Sequence, residues 1–452
     1  MNSRARPNGA ACRATSNVWL TGLSAGLHAH LRSRQIAVIQ SFMSDYERDA
    51  EADILAADRG ESPTAMEPLA LAEGSTHRPT LTDLAFELAA KSAGFRRSLP
   101  PGVLSALADL VRAMNCYYSN LIEGHNTHPV DIERAMNGDY SADSAKRSLQ
   151  LEARAHVAVQ KWIDDGGVRA RATTTEALRE IHRRFCEALP AELLVVRHDA
   201  TTGEVKIVPG AWRQNEVQVG RLVAVSPPAV TRFMERFSAF YGALSRTETI
   251  LCAAAAHHRL LWIHPFVDGN GRVARLMSHA VVLEALDTGG VWSIARGLAR
   301  RAPAYKAHLM ACDQPRRNDL DGRGNLSEEA LAAFTQFFLE TCLDQVVFME
   351  GLIQPDRLRS RILLWAEEEA RAGALPARAG QLLEAVLYRG ALPRADVPEI
   401  LGHGERQARR VVSALMDRSV LQATSTRAPL RLAFPAALAG RWMPGLFPEQ
   451  SV

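Results

Sequence analysis

The sequence predicts a mostly α-helical protein with one small β-hairpin in its middle and a winged helix-turn-helix order of elements at its end. Three observations support this fold class. Apolar residues recur at helical spacing over most of the chain after residue 75. Between about 200 and 222, glycine and proline instead punctuate short alternating runs. After residue 379, three helical segments precede two short alternating segments.

The bulk composition is that of an ordinary globular protein. The chain has 452 residues, of which 47% are hydrophobic and 23% charged, and this length predicts roughly two to four domains. We divide it into a flexible N-terminal segment (1–75), a main helical domain (76–352), a charged helical connector (353–378) and a C-terminal domain (379–452). The net charge of +3 is mild, so the overall charge does not indicate a polyanionic partner.

Cysteine spacing and hydropathy predict a cytoplasmic protein. The six cysteines are far apart and form no CxxC pair, which argues against a disulfide framework and for a reducing compartment. We expect these cysteines to be buried apolar side chains. No apolar run reaches the about 18 residues that a membrane span needs, so we predict no membrane contact.

The helices of the main domain are predicted from apolar stripes and from their caps. Between 104 and 121, leucine, valine, methionine and tyrosine recur on one face. A capping box that begins at Thr173 starts another helix. A helix at about 248–262 leads into a glycine-rich segment, where a new helix begins at Gly271. A further apolar helix covers about 327–352.

Two regions depart from this helical pattern. The runs 205–207 and 217–219 alternate apolar and polar residues around Pro209 and Gly210, which predicts a hairpin. The C-terminal domain is predicted to contain helices at 380–389, 394–401 and 405–418, followed by strands at 420–423 and 430–434.

The segment HPFVDGNGRVAR, from His264 to Arg275, carries groups suited to a bound phosphate. Gly269 and Gly271 have no Cβ, so backbone N–H groups can turn towards an anion at the start of a helix. Arg272 and Arg275 add planar cationic groups that match phosphate oxygens.

The same segment also supplies a metal ligand and a base. Asp268 offers the hard oxygen ligand that Mg²⁺ prefers when the ion also contacts substrate phosphates. His264 can accept a proton from an attacking hydroxyl at neutral pH. A base, a metal ligand, an anion site and two arginines together are typical of phosphoryl-transfer centres.

The segment matches, position for position, the HxFx(D/E)GNGRxxR signature of Fic proteins, and the chain resembles Fic-family protein adenylyltransferases over roughly residues 80–352. This resemblance implies a Fic-type helical core with a hairpin flap. Ser119 and Glu123, in the segment SNLIEG, resemble the family's inhibitory motif, here placed before the catalytic core. Residues 212–219 lie where Fic proteins carry the flap that clamps a target segment, but they depart from the common family pattern, so they do not identify the target.

The resemblance implies transfer of AMP from ATP to a Ser, Thr or Tyr hydroxyl of a protein, with the chain itself among the candidate targets. Transfer of another phosphate-bearing group, or removal of AMP from a target, stays open, as does the oligomeric state. The implied roles are His264 as general base, Asp268 as the Mg²⁺ ligand, Gly269, Asn270, Gly271, Arg272 and Arg275 as the phosphate site, Tyr305 and Asn318 at the adenine end, and Glu123 as an inhibitor that occupies Arg275.

The alternative is a DNA-binding transcriptional regulator in which the Fic-like domain only senses a nucleotide. Arg406, Arg409 and Arg410 lie on the candidate recognition helix of the C-terminal domain, and such clusters can follow DNA phosphates. Winged helices also serve as protein-docking modules, and an enzyme and a DNA-binding module can coexist in one chain.

Overall fold

The structure is a computed structural model that describes residues 57–197 and 204–448, and these residues are mostly helical, as predicted. The helices that surround the site begin with a long pair at the N-terminal side and end with the longest helix among the described residues. They are α1 (Arg78–Arg97), α2 (Pro101–Ile122), α3 (Pro129–Met136), α4 (Ser144–Asp164), α5 (Thr175–Glu187), α6 (Val230–Tyr241), α7 (Arg246–Ile263), α8 (Asn270–Ala285), α9 (Ile294–Arg300), α10 (Ala302–Cys312) and α11 (Glu328–Leu352).

Helices α7 and α8 form the centre of this arrangement. Most residues of both helices are buried, and α7 packs against α1, α6 and α11 as well as against α8. A helix that is apolar or buried all round belongs in the core rather than on the surface. The loop between α7 and α8, which carries the glycine-rich segment, is therefore held by the most enclosed part of the protein.

The cap of α5 lies one residue later than predicted. Thr174, not Thr173, is the N-cap, and its hydroxyl accepts a hydrogen bond from the Ala177 amide. Thr174 has the extended backbone that an N-cap requires. Adjacent threonines offer two possible caps, and the sequence pattern selected the wrong one.

The predicted hairpin between 205–207 and 217–219 is wrong in its pairing. The structure has two separate antiparallel pairs, β1 (Val195–Arg197) with β2 (Glu204–Lys206) and β3 (Gln218–Val219) with β4 (Leu222–Val223). Between the two pairs, the fully buried Arg213 bonds to the His264 carbonyl of the glycine-rich loop. Each predicted run does form a strand, but with a different partner.

The prediction of a flexible segment over residues 1–75 is too long at its C-terminal side. Residues 1–56 lie outside the described part of the chain, so for them it stays a prediction. Residues 57–75 pack against the helices: Met66 is fully buried, and the Leu69 carbonyl accepts a 2.8 Å hydrogen bond from the Tyr241 hydroxyl. A segment without periodicity can still be ordered by such specific contacts.

The C-terminal part contains the predicted order of three helices followed by two strands. Its elements, with the connector helix before them and a short helix after them, are α12 (Pro355–Arg371), α13 (Ala379–Arg389), α14 (Val397–Leu401), α15 (Glu405–Asp417), β5 (Leu421–Gln422), β6 (Arg431–Leu432) and α16 (Ala439–Trp442). Strands β5 and β6 pair antiparallel, and Leu392 forms a further bridge to Leu430. The assignment of this part to the winged-helix class stays a prediction.

The described residues share one continuous apolar core. The C-terminal chain returns to α2, where the Tyr118 hydroxyl donates a 2.8 Å hydrogen bond to the Leu446 carbonyl. Leu446 is fully buried. Described residues on both sides of the predicted boundaries therefore contribute to one core, and the division into segments stays a prediction.

Two further expectations concern buried helices and cysteines. Helix α11 is long and apolar enough to cross a membrane by length and composition, but 61% of its most hydrophobic window is buried inside the protein. It packs against α1 and α7, as a core helix does. Five cysteines fall within the described residues, and all five are free and buried, as the sequence predicts.

Candidate active site

Helix α7 ends at His264, at the start of the glycine-rich loop. His264 adopts a left-handed backbone conformation (φ 52°, ψ 61°), and its amide still bonds to the Leu260 carbonyl at 3.1 Å. Pro265 follows and has no amide hydrogen, so the helix cannot continue. Left-handed backbone is uncommon for a residue with a Cβ and is often found at functional sites.

The loop is closed by a reciprocal pair of hydrogen bonds from Asn270. Its side-chain oxygen accepts from the Phe266 amide at 3.0 Å, and its side-chain nitrogen donates to the Phe266 carbonyl at 2.9 Å. Gly269, between them, has φ 80°, which favours glycine. The buried Asn270 side chain therefore holds the loop with one donated and one accepted hydrogen bond.

Helix α8 starts at this loop without a side-chain cap. Its N-cap is Gly269, which has no side chain to accept from the amide groups of the first turn. Such amide groups, together with the helix dipole, favour an anion. The predicted phosphate site thus coincides with the uncapped start of α8.

Arg275, one turn into α8, is held by the end of α2. Its Nη2 lies 2.5 Å from Oε1 of Glu123, and its Nε donates to the Ser119 hydroxyl at 2.8 Å. The Arg275 side chain is only 3% exposed, whereas the Glu123 side chain is 36% exposed. Glu123 therefore contacts the arginine that the resemblance assigned to it, and Ser119 contacts the same arginine.

Gly271 makes room for this ion pair. A Cβ at this position would lie 2.3 Å from Oε1 of Glu123 and 3.1 Å from Nη1 of Arg275. Burial alone would raise the pKa of the Glu123 carboxyl, but the guanidinium of Arg275 outweighs it and the net pKa lies below the ordinary value. Glu123 is therefore ionised at neutral pH.

Arg272 is held by two other carboxylates. Its Nη2 donates to Asp268 at 3.0 Å and its Nη1 to Glu152 at 3.2 Å. The guanidinium lies 4.8 Å from the centre of the Phe185 ring. Oε2 of Glu152 also lies 2.9 Å from Nδ1 of His125. Both motif arginines are thus paired with carboxylates in this structure.

The base of the predicted flap is bound to the same loop. The buried Arg213 donates from Nε to the His264 carbonyl at 2.7 Å and from its amide to the Pro265 carbonyl at 2.9 Å. It also bonds to the Val225 carbonyl on the far side of the flap. The Trp212 ring lies 5.0 Å from the ring of Phe266. Arg213 therefore links the base of the flap to the backbone at His264 and Pro265.

His264 is neutral at physiological pH. Burial lowers the pKa of its imidazole from 6.5 to about 4, because desolvation disfavours the charged form. Nδ1 lies 3.3 Å from the Leu261 carbonyl, so a proton on Nδ1 leaves the lone pair of Nε2 to accept another. A neutral imidazole with a free acceptor nitrogen is what a general base requires.

A second histidine supports the loop from behind. The ring of His182 stacks on Phe266 with centroids 3.9 Å apart, and its Nδ1 accepts from the Gly210 amide at 2.9 Å. Burial lowers the pKa of His182 to about 4, while the Asp268 backbone acts in the opposite direction. This neutral ring therefore joins α5, the flap entry and the glycine-rich loop.

Comparison with known proteins identifies this region. Residues 172–282, which include the whole loop and both motif arginines, match the sequence model of the Fic/DOC family. Residues 172–282 carry a Fic domain. A protein adenylyltransferase Fic from Nematostella vectensis is 30% identical over 197 residues, which are 42% of this chain and 42% of that protein. The corresponding protein from Drosophila erecta is 27% identical over 172 residues, 37% of this chain and 32% of that protein.

The chain therefore spans less than half the length of these curated relatives. Among solved structures, a Fic family protein from Desulfovibrio desulfuricans G20 is similar with a TM-score of 0.47 and 16% identity, over 80% of this chain and 98% of that one.

The Fic domain does not contain every residue of the site. Ser119 and Glu123 lie upstream of the matched range on α2, yet both contact Arg275. Glu152, on α4, also lies outside that range and contacts Arg272. The site is thus assembled from the Fic domain and from two helices that precede it.

The two residues predicted for the adenine end do not join the loop as free ligand groups. Tyr305 is 2% exposed and its hydroxyl lies 2.7 Å from Nε2 of His257 in the core. Asn318 is exposed, and its side-chain oxygen accepts from the Leu320 amide within its own turn. Tyr305 lies close enough to Arg275 to interact with its guanidinium. The role of both residues at the adenine end stays a prediction.

Sequence reasoning missed four residues that shape the site. They are Glu152, His125, Arg213 and His182. Each is a single polar residue in an otherwise ordinary helix or loop, and no spacing relates it to the Fic motif. The one available signal was for His125, because it directly follows the inhibitory segment.

Proposed function

We propose that this chain is a protein adenylyltransferase that moves AMP from ATP to a Ser, Thr or Tyr hydroxyl of a protein, with itself as one candidate target. The observation that carries the proposal is the meeting of a neutral His264, the uncapped start of α8 and two arginines at one loop. The similarity of residues 172–282 to adenylyltransferases of the same domain supports it.

The chemistry follows from these positions. His264 accepts the proton of the target hydroxyl as its oxygen forms a bond to the α-phosphorus of ATP. The bond between the α-phosphorus and the bridging oxygen breaks, and pyrophosphate leaves. The α8 amide groups and Arg272 stabilise the negative charge of the phosphates. Arg275 can bind a phosphate only after Glu123 has released the Arg275 guanidinium.

Asp268 fits a Mg²⁺ ion that is held mainly by the nucleotide. Its carboxylate is 50% exposed at the start of α8, and within the described residues no cluster of three His, Cys, Asp or Glu side chains forms a protein cage. Mg²⁺ commonly uses one or two carboxylates together with substrate phosphates. When bound, the ion would neutralise phosphate charge.

Inhibition by Glu123 is part of the proposal. A carboxylate on a buried guanidinium is a strong, charge-assisted contact. While it persists, Arg275 is closed to a phosphate, so ATP would bind in a less productive pose. Loss of the Glu123 carboxylate would release Arg275.

Mass spectrometry of protein incubated with ATP and Mg²⁺ tests this proposal. We expect wild-type chain, alone or with a cell lysate, to add the mass of AMP to a protein, and His264→Ala to lose this activity by 10²-fold or more while still binding ATP. Near-wild-type transfer by His264→Ala would refute the base assignment.

A second candidate function, DNA binding by the C-terminal part, rests on unpaired arginines. Arg406 and Arg410 are exposed on α15, and within the described residues neither makes an ion pair or hydrogen bond. Most other surface arginines are paired, including Arg409 with Glu405 at 2.7 Å. Unpaired arginines on the third helix of such a domain suit DNA phosphates.

A gel-shift titration of the full chain with duplex DNA at rising salt tests this candidate. We expect Arg406→Gln with Arg410→Gln to weaken binding and to flatten its salt dependence, because fewer counterions are released. Binding that is unchanged in this double variant, or absent in wild type, would remove the candidate. Location in the cytoplasm likewise remains a proposal.

A further inference from the structure

Arg272 has two carboxylate partners that differ in their surroundings. The Asp268 side chain is 50% exposed, four residues away on the same helix. The Glu152 side chain is 13% exposed and comes from α4. One partner therefore faces the space that a nucleotide would enter, and the other is enclosed by protein.

The guanidinium itself is confined. The Arg272 side chain is 9% exposed, and its Nε is buried with no hydrogen-bond partner within the described residues. The Phe185 ring lies beneath the plane at 4.8 Å. Because Nε makes no bond and the ring constrains only one side, the direction of the guanidinium is set by its two Nη contacts.

We propose that Glu152 is a positioning residue, which holds Nη1 of Arg272 so that Nη2 points at the phosphates of the nucleotide. On nucleotide binding, Nη2 exchanges Asp268 for phosphate oxygen, and Asp268 becomes free for its own ligand. Glu152 keeps its contact throughout. This inference rests on the proposed function, since it assigns a nucleotide as the ligand of Arg272.

Glu152 is in turn oriented by the inhibitory segment. Its Oε2 atom receives both Arg272 and Nδ1 of His125, at 3.2 and 2.9 Å. His125 follows Glu123 by two residues, and Glu123 holds Arg275. The end of α2 thus reaches one arginine directly and the other through Glu152.

The positioning role predicts a selective loss of nucleotide affinity. In the Glu123→Gly background, Glu152→Gln should raise the dissociation constant for ATP with Mg²⁺ by about tenfold. Binding of AMP should change less than twofold, because AMP lacks the β- and γ-phosphates that Arg272 would contact. Asp165→Asn, an exposed acid just after the same helix, is the matched control and should change neither.

Isothermal titration with ATP and with AMP distinguishes the outcomes. Equal weakening of both nucleotides would indicate a merely structural role for Glu152, and no weakening of ATP would indicate no role; either result overturns the inference. If Glu123→Gly alone fails to bind ATP, the proposed function fails and the inference falls with it.

Discussion

Single residues of the site differ in how readily they can change partners. Asp268 is half-exposed and bonded to one arginine, so a ligand can compete for it. Arg275, by contrast, is 3% exposed and bonded to three groups of α2, namely the Glu123 carboxylate and the hydroxyl and carbonyl of Ser119. A buried guanidinium that loses a partner must find another. A nucleotide phosphate can supply that replacement for Glu123.

The depressed pKa of His264 predicts an unusual pH dependence. A base acts in its deprotonated form, and with a pKa of about 4 the imidazole is deprotonated at every pH above about 5. We expect kcat/KM to stay independent of this group down to pH 5 and to fall tenfold per unit below pH 4. ATP binding is measured over the same pH range. This shows whether protonation of the nucleotide, rather than of His264, lowers kcat/KM.

A fall in kcat/KM with a midpoint near 6.5, while the protein stays folded by circular dichroism and still binds ATP, would contradict this account. The imidazole would then be solvated in the working enzyme. The burial seen here would not describe the catalytic state.

Two elements, the flap base and the end of α7, are joined by one side chain. Arg213 bonds to carbonyls at His264, Ile263 and Val225, and it is fully buried. Removal of the guanidinium would leave these carbonyls without their donor in the protein interior. The loss in the free energy of unfolding then depends on how many buried carbonyls are left without a hydrogen bond.

Arg213→Ala should therefore lower the free energy of unfolding by about 3 kcal/mol or more. Urea denaturation followed by circular dichroism measures it. Arg221→Ala, an exposed arginine at the turn between β3 and β4, is the control and should change stability by less than about 0.5 kcal/mol. Equal stability of the two variants would show that Arg213 does not connect the flap to the loop.

The elements show which features were predictable. The helices and the His264–Arg275 loop were predicted correctly because their signals are local in the sequence. These signals are the helical spacing of apolar residues, Pro265 and the two glycines. The partners of β2 and β3 were predicted wrongly, because strand pairing depends on tertiary contacts that the local alternation of residues does not report. The contribution of Glu152 was missed for the same reason, since 120 residues separate it from Arg272.

At the scale of the whole molecule, the C-terminal chain supports the helix that carries Glu123. Tyr118 bonds to the Leu446 carbonyl, and Arg296 donates to the Gly445 carbonyl at 2.7 Å. Phe447 packs edge-on against Tyr117 at 5.7 Å. The sequence does not predict this return, because no sequence period relates a C-terminal segment to a helix more than 300 residues earlier.

Leu446→Ala should destabilise the whole protein, because Leu446 is fully buried against α2. We expect a loss of about 2–4 kcal/mol in the free energy of unfolding. Leu320→Ala, at a leucine that is 97% exposed, is the matched control and should change it by less than about 0.5 kcal/mol. A loss no larger than that of the control would mean that the C-terminal segment is not packed in solution.

The central claim, AMP transfer restrained by Glu123, is tested most directly with ATP labelled in either of two phosphates. Wild type, Glu123→Gly and Glu123→Gly with His264→Ala are incubated with Mg²⁺ and a heat-inactivated cell lysate, whose own kinases are inactive, and protein-bound label and released pyrophosphate are measured. We expect label from the α-phosphate, more in Glu123→Gly than in wild type, and none from the γ-phosphate or in the double variant. Label from the γ-phosphate, or equal α-label in Glu123→Gly and the double variant, would contradict the account.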